Sequence, residues 1–209
     1  MCGIFGFFGD NGAVPDMKLL RKLAIITEQR GDHAFGLAWA DGDQIQTFKK
    51  PGPITDSLGD LRMVRESSMM IGHCRWATHG SPDNNTNNHP HPAGRGWLVH
   101  NGVVRNYREL VDRFDLTMQT ECDSEVLGLL MANGSGNLVS RAARIKEMVE
   151  GPMAVLGIWT KPNRMLVIRS GNPLHFCSLG DGLYFASLPN GMPGKRWSLP
   201  DDYVRILKN

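Results

Sequence analysis

The chain has 209 residues, enough for one large domain or two small ones. Hydrophobic residues make up 41% and charged residues 21%, a balance that excludes disordered and fibrous classes. The net charge is +2 with no basic run longer than a pair such as Lys49-Lys50, and no apolar stretch nears the ~20 residues that span a bilayer, so neither a nucleic-acid nor a membrane partner is indicated. The predicted elements begin with a buried strand at 3–8, closed by the turn cluster Gly9-Asp10-Asn11-Gly12. Apolar positions at Leu19, Leu20, Leu23 and Ile26 predict a helix over 16–29, ended by Gly31. Residues 35–40 and 44–49 read as a hairpin around Asp41-Gly42-Asp43. A short helix is predicted over 57–66 and a strand over 68–75.

A long polar stretch, 79–96, carries Asn84, Asn85, Asn87 and Asn88 and reads as a structureless loop, a length usually reserved for function. A strand at 97–100 follows, then helices over 106–114, 123–132 and 138–149. Four short apolar runs at 153–159, 164–169, 174–178 and 183–187 read as an antiparallel meander. Strands first, helices in the middle and strands last predict an α+β layered fold. With no repeat and no low-complexity linker, a single domain over 1–209 is expected.

The four cysteines, at 2, 74, 122 and 177, form no CxxC pair, which fits free thiols in a reducing compartment and a cytoplasmic location. No basic segment precedes the first apolar residues and Asp10 interrupts them, so no signal peptide is expected. Cys2 stands apart from the other three. A small residue at position two allows removal of Met1, after which one residue carries a thiol and a free α-amine. That amine, with a reference pKa of about 7.7–8.0, is a base beside its own nucleophile. The plain alternative is a buried, inert cysteine.

Four segments decide between these readings: Cys2-Gly3-Ile4-Phe5-Gly6; Gly72 to Gly80, with His73-Cys74-Arg75-Trp76-Ala77-Thr78-His79 inside it; His100-Asn101-Gly102 running on to Tyr107; and Thr120-Glu121-Cys122-Asp123-Ser124-Glu125. In this order, and with Arg169 to Leu174 and Tyr184 to Ser187 further on, they make the chain resemble the glutaminase domain of class II glutamine amidotransferases. These are N-terminal-nucleophile hydrolases, and glucosamine-6-phosphate synthase is the most similar in motif. The resemblance covers nearly the whole chain. It implies a four-layer αββα sandwich of two antiparallel sheets, and hydrolysis of L-glutamine to L-glutamate and ammonia through a Cys2 γ-glutamyl thioester.

The chemistry asks for these residue types. Amide hydrolysis passes through an oxyanion that needs aimed donors. The resemblance gives that role to the Asn101 side-chain amide and the Gly102 backbone N–H, although Asn-Gly alone is also a tight-turn signal. A free amino acid carries a carboxylate and an ammonium. Arg75 suits the first through a bidentate guanidinium, and Asp123 suits the second, against the plainer readings of a surface ion pair and a helix N-cap. The resemblance adds the Thr78-His79 stretch to the substrate clamp and places Trp76 in a loop that closes over glutamine. Arg30-Gly31 matches a family Arg-Gly pair and gives Arg30 a supporting role; two residues past the Gly the family carries Asp where this chain has His33.

The histidines at 73, 79, 89, 91 and 100 suggest a metal, but no pair has i,i+4 spacing and His89-Pro90-His91 sits in a proline-rich loop, so neither a metal nor a cofactor is expected. The expected ammonia acceptor is a separate synthase subunit. Two rival expectations stand beside this one: a non-catalytic glutamine-binding or assembly subunit, and an amidase of the same superfamily acting on another amide.

Overall fold

Strand β1 (Gly3–Gly9) is buried along its whole length, and its alternation organises the molecule. Phe5 and Phe7 enter a core shared with helix α1 (Met17–Glu28), while Ile4 and Phe8 enter a second core on the other face. The structure, a computed structural model, describes residues 1–208 of the chain. Helix α1 starts where Asp16 Oδ1 accepts from the amides of Lys18 and Leu19, at 2.8 and 3.0 Å, and it buries Leu19, Leu20, Leu23 and Ala24 against the sheet.

The first sheet has seven strands. It contains β1, β2 (Ala34–Asp41), β3 (Gln44–Pro51), β4 (Met69–Arg75), β9 (His175–Leu179), β10 (Gly182–Ala186) and β11 (Arg196–Ser198), in the order β11-β9-β10-β1-β4-β2-β3. The second has five: β5 (His91–Ala93), β6 (Gly96–Gly102), β7 (Met153–Thr160), β8 (Asn163–Ser170) and β12 (Tyr203–Lys208), in the order β12-β8-β7-β6-β5. Every pairing between neighbours is antiparallel. Leu156 and Ile158 of β7 and Met165 and Val167 of β8 face Ile4, Met69 and Ile71 between the sheets. Met153, Val155, Leu166 and Ile168 alternate to the opposite face, against helices α2 (Tyr107–Arg113), α3 (Glu125–Asn133) and α4 (Leu138–Met148). The layers are therefore α1, sheet, sheet, and α2 to α4: the αββα sandwich of the sequence expectation.

Several elements differ from that expectation. Residues Ile54–Val64 form 3₁₀ turns broken at Ser57 rather than a helix over 57–66. The polar stretch 79–96 is ordered, with a 3₁₀ turn at Asn85–Asn87 and strand β5. Its asparagines replace a hydrophobic core by bonding the backbone: Asn84 Oδ1 accepts from Thr86 N at 3.1 Å, and Asn88 Nδ2 donates to Pro82 O at 2.7 Å. The C-terminal strands are two hairpins rather than one meander, because β7-β8 belongs to the five-stranded sheet and β9-β10 to the seven-stranded one. Strands β11 and β12 were not anticipated; both are edge strands of mixed burial, with a weak alternation. Among the described residues no helix is long and apolar enough to cross a membrane.

Leu156 is fully buried between the sheets, and its Cδ1 lies where a Cβ on Gly6 would stand only 2.9 Å away. Leu156→Ala opens a cavity that a rigid sheet pair cannot close, so urea unfolding should show a loss of about 2–5 kcal/mol. A loss below 1 kcal/mol would mean that this interface is not tightly packed.

Candidate active site

The register of β1 on β4 sets the site. Gly3 lies opposite Cys74, so the residue before the strand, Cys2, meets the segment that follows Arg75. Trp76 N donates to Cys2 Sγ at 3.3 Å, and the thiol is 3.4 Å from Trp76 O. Arg30, just beyond α1, donates its Nε proton to Cys2 O at 2.7 Å and so anchors the backbone of the nucleophile residue. Burial pushes the Cys2 thiol up; the Trp76 amide, the positive amino terminus and Arg75 act against it, and Asp123 adds to the rise.

Cys2 opens onto a cleft of about 420 Å³, lined also by Met1, Trp76, Thr78, Asn101, Gly102, Val103, Arg105, Pro152 and Asn172. Asn101 and Gly102 end strand β6, so they come from the second sheet and meet Cys2 from the first. The Asn101 side-chain nitrogen is buried and has no hydrogen-bond partner, whereas the Asn101 carbonyl accepts from Asn172 Nδ2 at 2.8 Å. A buried donor without a partner costs about 1–3 kcal/mol, so its place in a residue that lines the same cleft as Cys2 is informative. At Gly102 a Cβ would collide with Pro152 O and the His100 ring; only glycine lets the backbone pass here. A larger cleft of about 660 Å³ lies between β10 and β12, and among the described residues its lining includes no cysteine, histidine or asparagine.

Of the remaining predicted residues, Trp76 and Thr78 line the cleft, whereas Arg75, His79 and Asp123 are not among the described residues that line it. Asp123 is buried; its Oδ2 accepts from Val104 N at 2.6 Å and its Oδ1 is 3.7 Å from His79 Nδ1. It does not cap α3 through its side chain: the N-cap position belongs to Ser124. Arg75 is buried as well. Its two terminal nitrogens donate to Ser81 O, Asn88 Oδ1 at 2.7 Å, His79 O and Gly80 O at 3.0 Å. The guanidinium thus braces the loop that carries Thr78 and His79. Trp76 is 47% exposed. His33, the departure from the family pattern, stacks on Trp76 at 4.4 Å between ring centroids, and its Nδ1 accepts from Ala77 N at 3.1 Å. Asn172 and His33 were not singled out as site residues; for Asn172 the signal was its place inside the 169–174 motif.

Behind β6 lies a packed group of histidines. His73 Nε2 donates to His100 O across the two sheets at 3.1 Å, and His100 Nδ1 pairs with Ser124 Oγ at 2.8 Å. His89 stacks on His73 at 4.0 Å and meets His91 edge-on at 4.5 Å. One ring nitrogen from each of His89 and His91 lies within 4.8 Å of Cys122 Sγ.

Comparison with known proteins gives the family and the fold. A model of the glutamine amidotransferase domain matches residues 73–193. The chain belongs to the class II glutamine amidotransferase family. A glutamine–fructose-6-phosphate aminotransferase of Symbiobacterium thermophilum is 33% identical over 206 residues, covering 94% of this amidotransferase chain and 33% of the relative. The corresponding protein of Staphylococcus epidermidis is 43% identical over 137 residues, 61% of the chain and 21% of the relative. The amidotransferase chain thus spans about a third of the length of such relatives. Among solved structures, the glutamine phosphoribosylpyrophosphate amidotransferase of B. subtilis superposes over 99% of this chain and 49% of its own, with a TM-score of 0.75 at 23% identity. A glutamine aminotransferase class-II domain protein from Silicibacter pomeroyi superposes over 99% of both chains, with a TM-score of 0.59 at 17% identity. Both share the fold.

The histidines of the amidotransferase predict its acid sensitivity. Burial drives His73 down to about 3 and His100 to about 4, and holds His89 and His91 well below the usual range. In the unfolded chain these rings titrate near about 6.5. Below that pH the unfolded state binds more protons, so stability present above pH ~6.5 is lost as pH falls towards ~4, at up to about 1.4 kcal/mol per pH unit for each ring. Urea midpoints should hold between pH 8 and 7 and drop between 6 and 5; a flat profile over that second interval would refute neutral burial.

Proposed function

We propose that the chain hydrolyses the side-chain amide of L-glutamine, with Cys2 as nucleophile, and passes the ammonia to a synthase partner. The observation that carries the reading is the unpartnered Asn101 amide nitrogen beside Cys2 in one cleft. Removal of Met1, which now lines that cleft, would free the Cys2 α-amine. The amine takes the thiol proton, and the thiolate attacks the amide carbon. The oxyanion is held by Asn101 Nδ2 and the Gly102 N–H, each worth about 3–4 kcal/mol in such a role. Nitrogen leaves as ammonia with the proton returned by the amine. Water then attacks the thioester and releases glutamate, restoring the thiol.

Arg75 and Asp123 would hold the substrate carboxylate and ammonium. Their position fits, since both act electrostatically on the Cys2 thiol. Arg75 already spends four donor contacts on loop groups, so substrate binding would exchange one of those carbonyls for the carboxylate. The relatives' names couple glutamine to a sugar-phosphate acceptor; here the acceptor is taken to be served by a separate synthase in the cytoplasm, in keeping with four free thiols.

The intact mass of active protein should fall short of the full translation by one methionine. Cys2→Ala should abolish glutamate release while leaving glutamine binding measurable by calorimetry, and Asn101→Ala should lower kcat by about 10²–10³. Turnover by Cys2→Ala would refute the covalent route. A wild type that binds glutamine without turnover would favour the assembly-subunit reading. Asp123→Asn keeps the acceptor for Val104 N but loses the charge. It should cut kcat/KM for glutamine by about 10–100-fold, roughly 1.4–2.7 kcal/mol. It should spare simple amides that lack an ammonium; an equal loss on both would point to another acyl substrate.

A further inference from the structure

We propose that His89, His91 and Cys122 form a buried binding site for one borderline-soft d-block cation, zinc(II) in the first instance. The three donors belong to segments 31 residues apart at the nearest, yet their ligating atoms lie within 4.8 Å of one another. Zinc–nitrogen and zinc–sulfur bonds of about 2.0 and 2.3 Å put such atoms roughly 3.3–4 Å apart. Side-chain rotation alone can close that gap.

Two independent observations point to a ligand. All four ring nitrogens of His89 and His91 are buried and lack any hydrogen-bond partner. A neutral imidazole has one donor and one acceptor, so the pair leaves four polar atoms unsatisfied, which native interiors rarely tolerate. The segment that carries the rings is also held rigidly. A Cβ on Gly36 would strike the His89 carbonyl, and one on Gly128 the Pro92 carbonyl, so β2 and α3 grip it from both sides. The backbone of the site is thus fixed, and only the side chains have to turn to bring the donors to bonding distance.

The donor set selects the ion. The donors are two imidazoles and a thiolate; the neighbouring Asp123 carboxylate meets Cys122 Sγ at 4.0 Å through Oδ1 and accepts from Val104 N through Oδ2. Such a nitrogen and sulfur set suits zinc(II) or copper(I) and not calcium or magnesium. The Cys122 thiol is pushed up to about 12 by burial, so binding at neutral pH must release its proton: metal plus thiol gives the metal thiolate and one proton. The site would join the strand after the lid loop to the segment that carries Asp123. Its role is structural, and it does not rest on the glutaminase reading.

The test is made on the whole chain after chelator dialysis. Zinc(II), in competition with a chromophoric chelator, should bind one equivalent and release one proton. Cobalt(II) in its place should give a near-ultraviolet thiolate charge-transfer band. Cys122→Ser should lose that band and bind at least tenfold more weakly, whereas Cys2→Ala should retain both, which separates the site from chelation at the amino terminus. X-ray absorption on wild-type protein needs no variant and should show one sulfur at about 2.3 Å with two nitrogens near 2.0 Å. Copper(I) held by the same shell would support the site with the monovalent ion. No saturable binding, a shell without sulfur, or a band lost in Cys2→Ala and kept in Cys122→Ser would overturn the proposal.

Discussion

The pairing of β1 with β4 is the constraint on which the site depends. β1 is buried on both faces, so its register is fixed twice, by Phe5 and Phe7 against α1 and by Ile4 and Phe8 against the second sheet. A slip of one residue would exchange these faces. Gly3 opposite Cys74 then leaves Cys2 beside Trp76, whose N–H points at its sulfur. Arg30 anchors the Cys2 carbonyl and leaves the side chain to the cleft. A terminal residue, which would ordinarily fray, is held at the rim of a sheet.

The chain resists acid to the extent that its interior stays uncharged. His73 donates from Nε2 to a carbonyl of the other sheet, so its Nδ1 carries the lone pair. His100 sits directly before Asn101 and pairs with Ser124, next to Asp123 in sequence. The predicted loss of stability between pH 6 and 5 therefore concerns residues that pack next to Asn101. Lys49, brought to about 8 by burial, lies over the Trp97 ring and adds to burial in holding His73 and His91 neutral.

Much of this was readable in the sequence, for identifiable reasons. Elements with strong alternation or 3.6-residue periodicity, such as β1, α1 and β7, were placed closely. What failed were elements whose stability comes from elsewhere: β5 exists because β6 pairs with it, and the 79–96 stretch is ordered by asparagine side chains that mimic backbone. Splitting β7-β8 from β9-β10 requires knowing which sheet each hairpin joins, a long-range fact that turn chemistry does not hold. Cys2 and the Asn101-Gly102 pair could be named as candidates because the chemistry asked of them is local to a few residues. The Arg75 contacts and the His89, His91 and Cys122 grouping were not. The first depends on where a loop folds back, and the second joins residues whose spacing along the chain looks unlike any metal motif.

The two halves of the candidate catalytic centre lie on different sheets, so their separation is set by packing and not by either sheet alone. Gly6 lets Leu156 approach the backbone of β1, which brings β7, and with it β6, close to the strand that starts at the nucleophile. The His73 to His100 hydrogen bond then locks the sheets directly behind Asn101. Dispersion contacts fall off steeply with a gap of even 1 Å, and so does the worth of a donor aimed at an oxyanion. The same inter-sheet core that stabilises the fold therefore also sets the distance between the Cys2 sulfur and the Asn101-Gly102 pair. A sandwich with a looser middle layer would keep every residue of the site and lose the alignment between them.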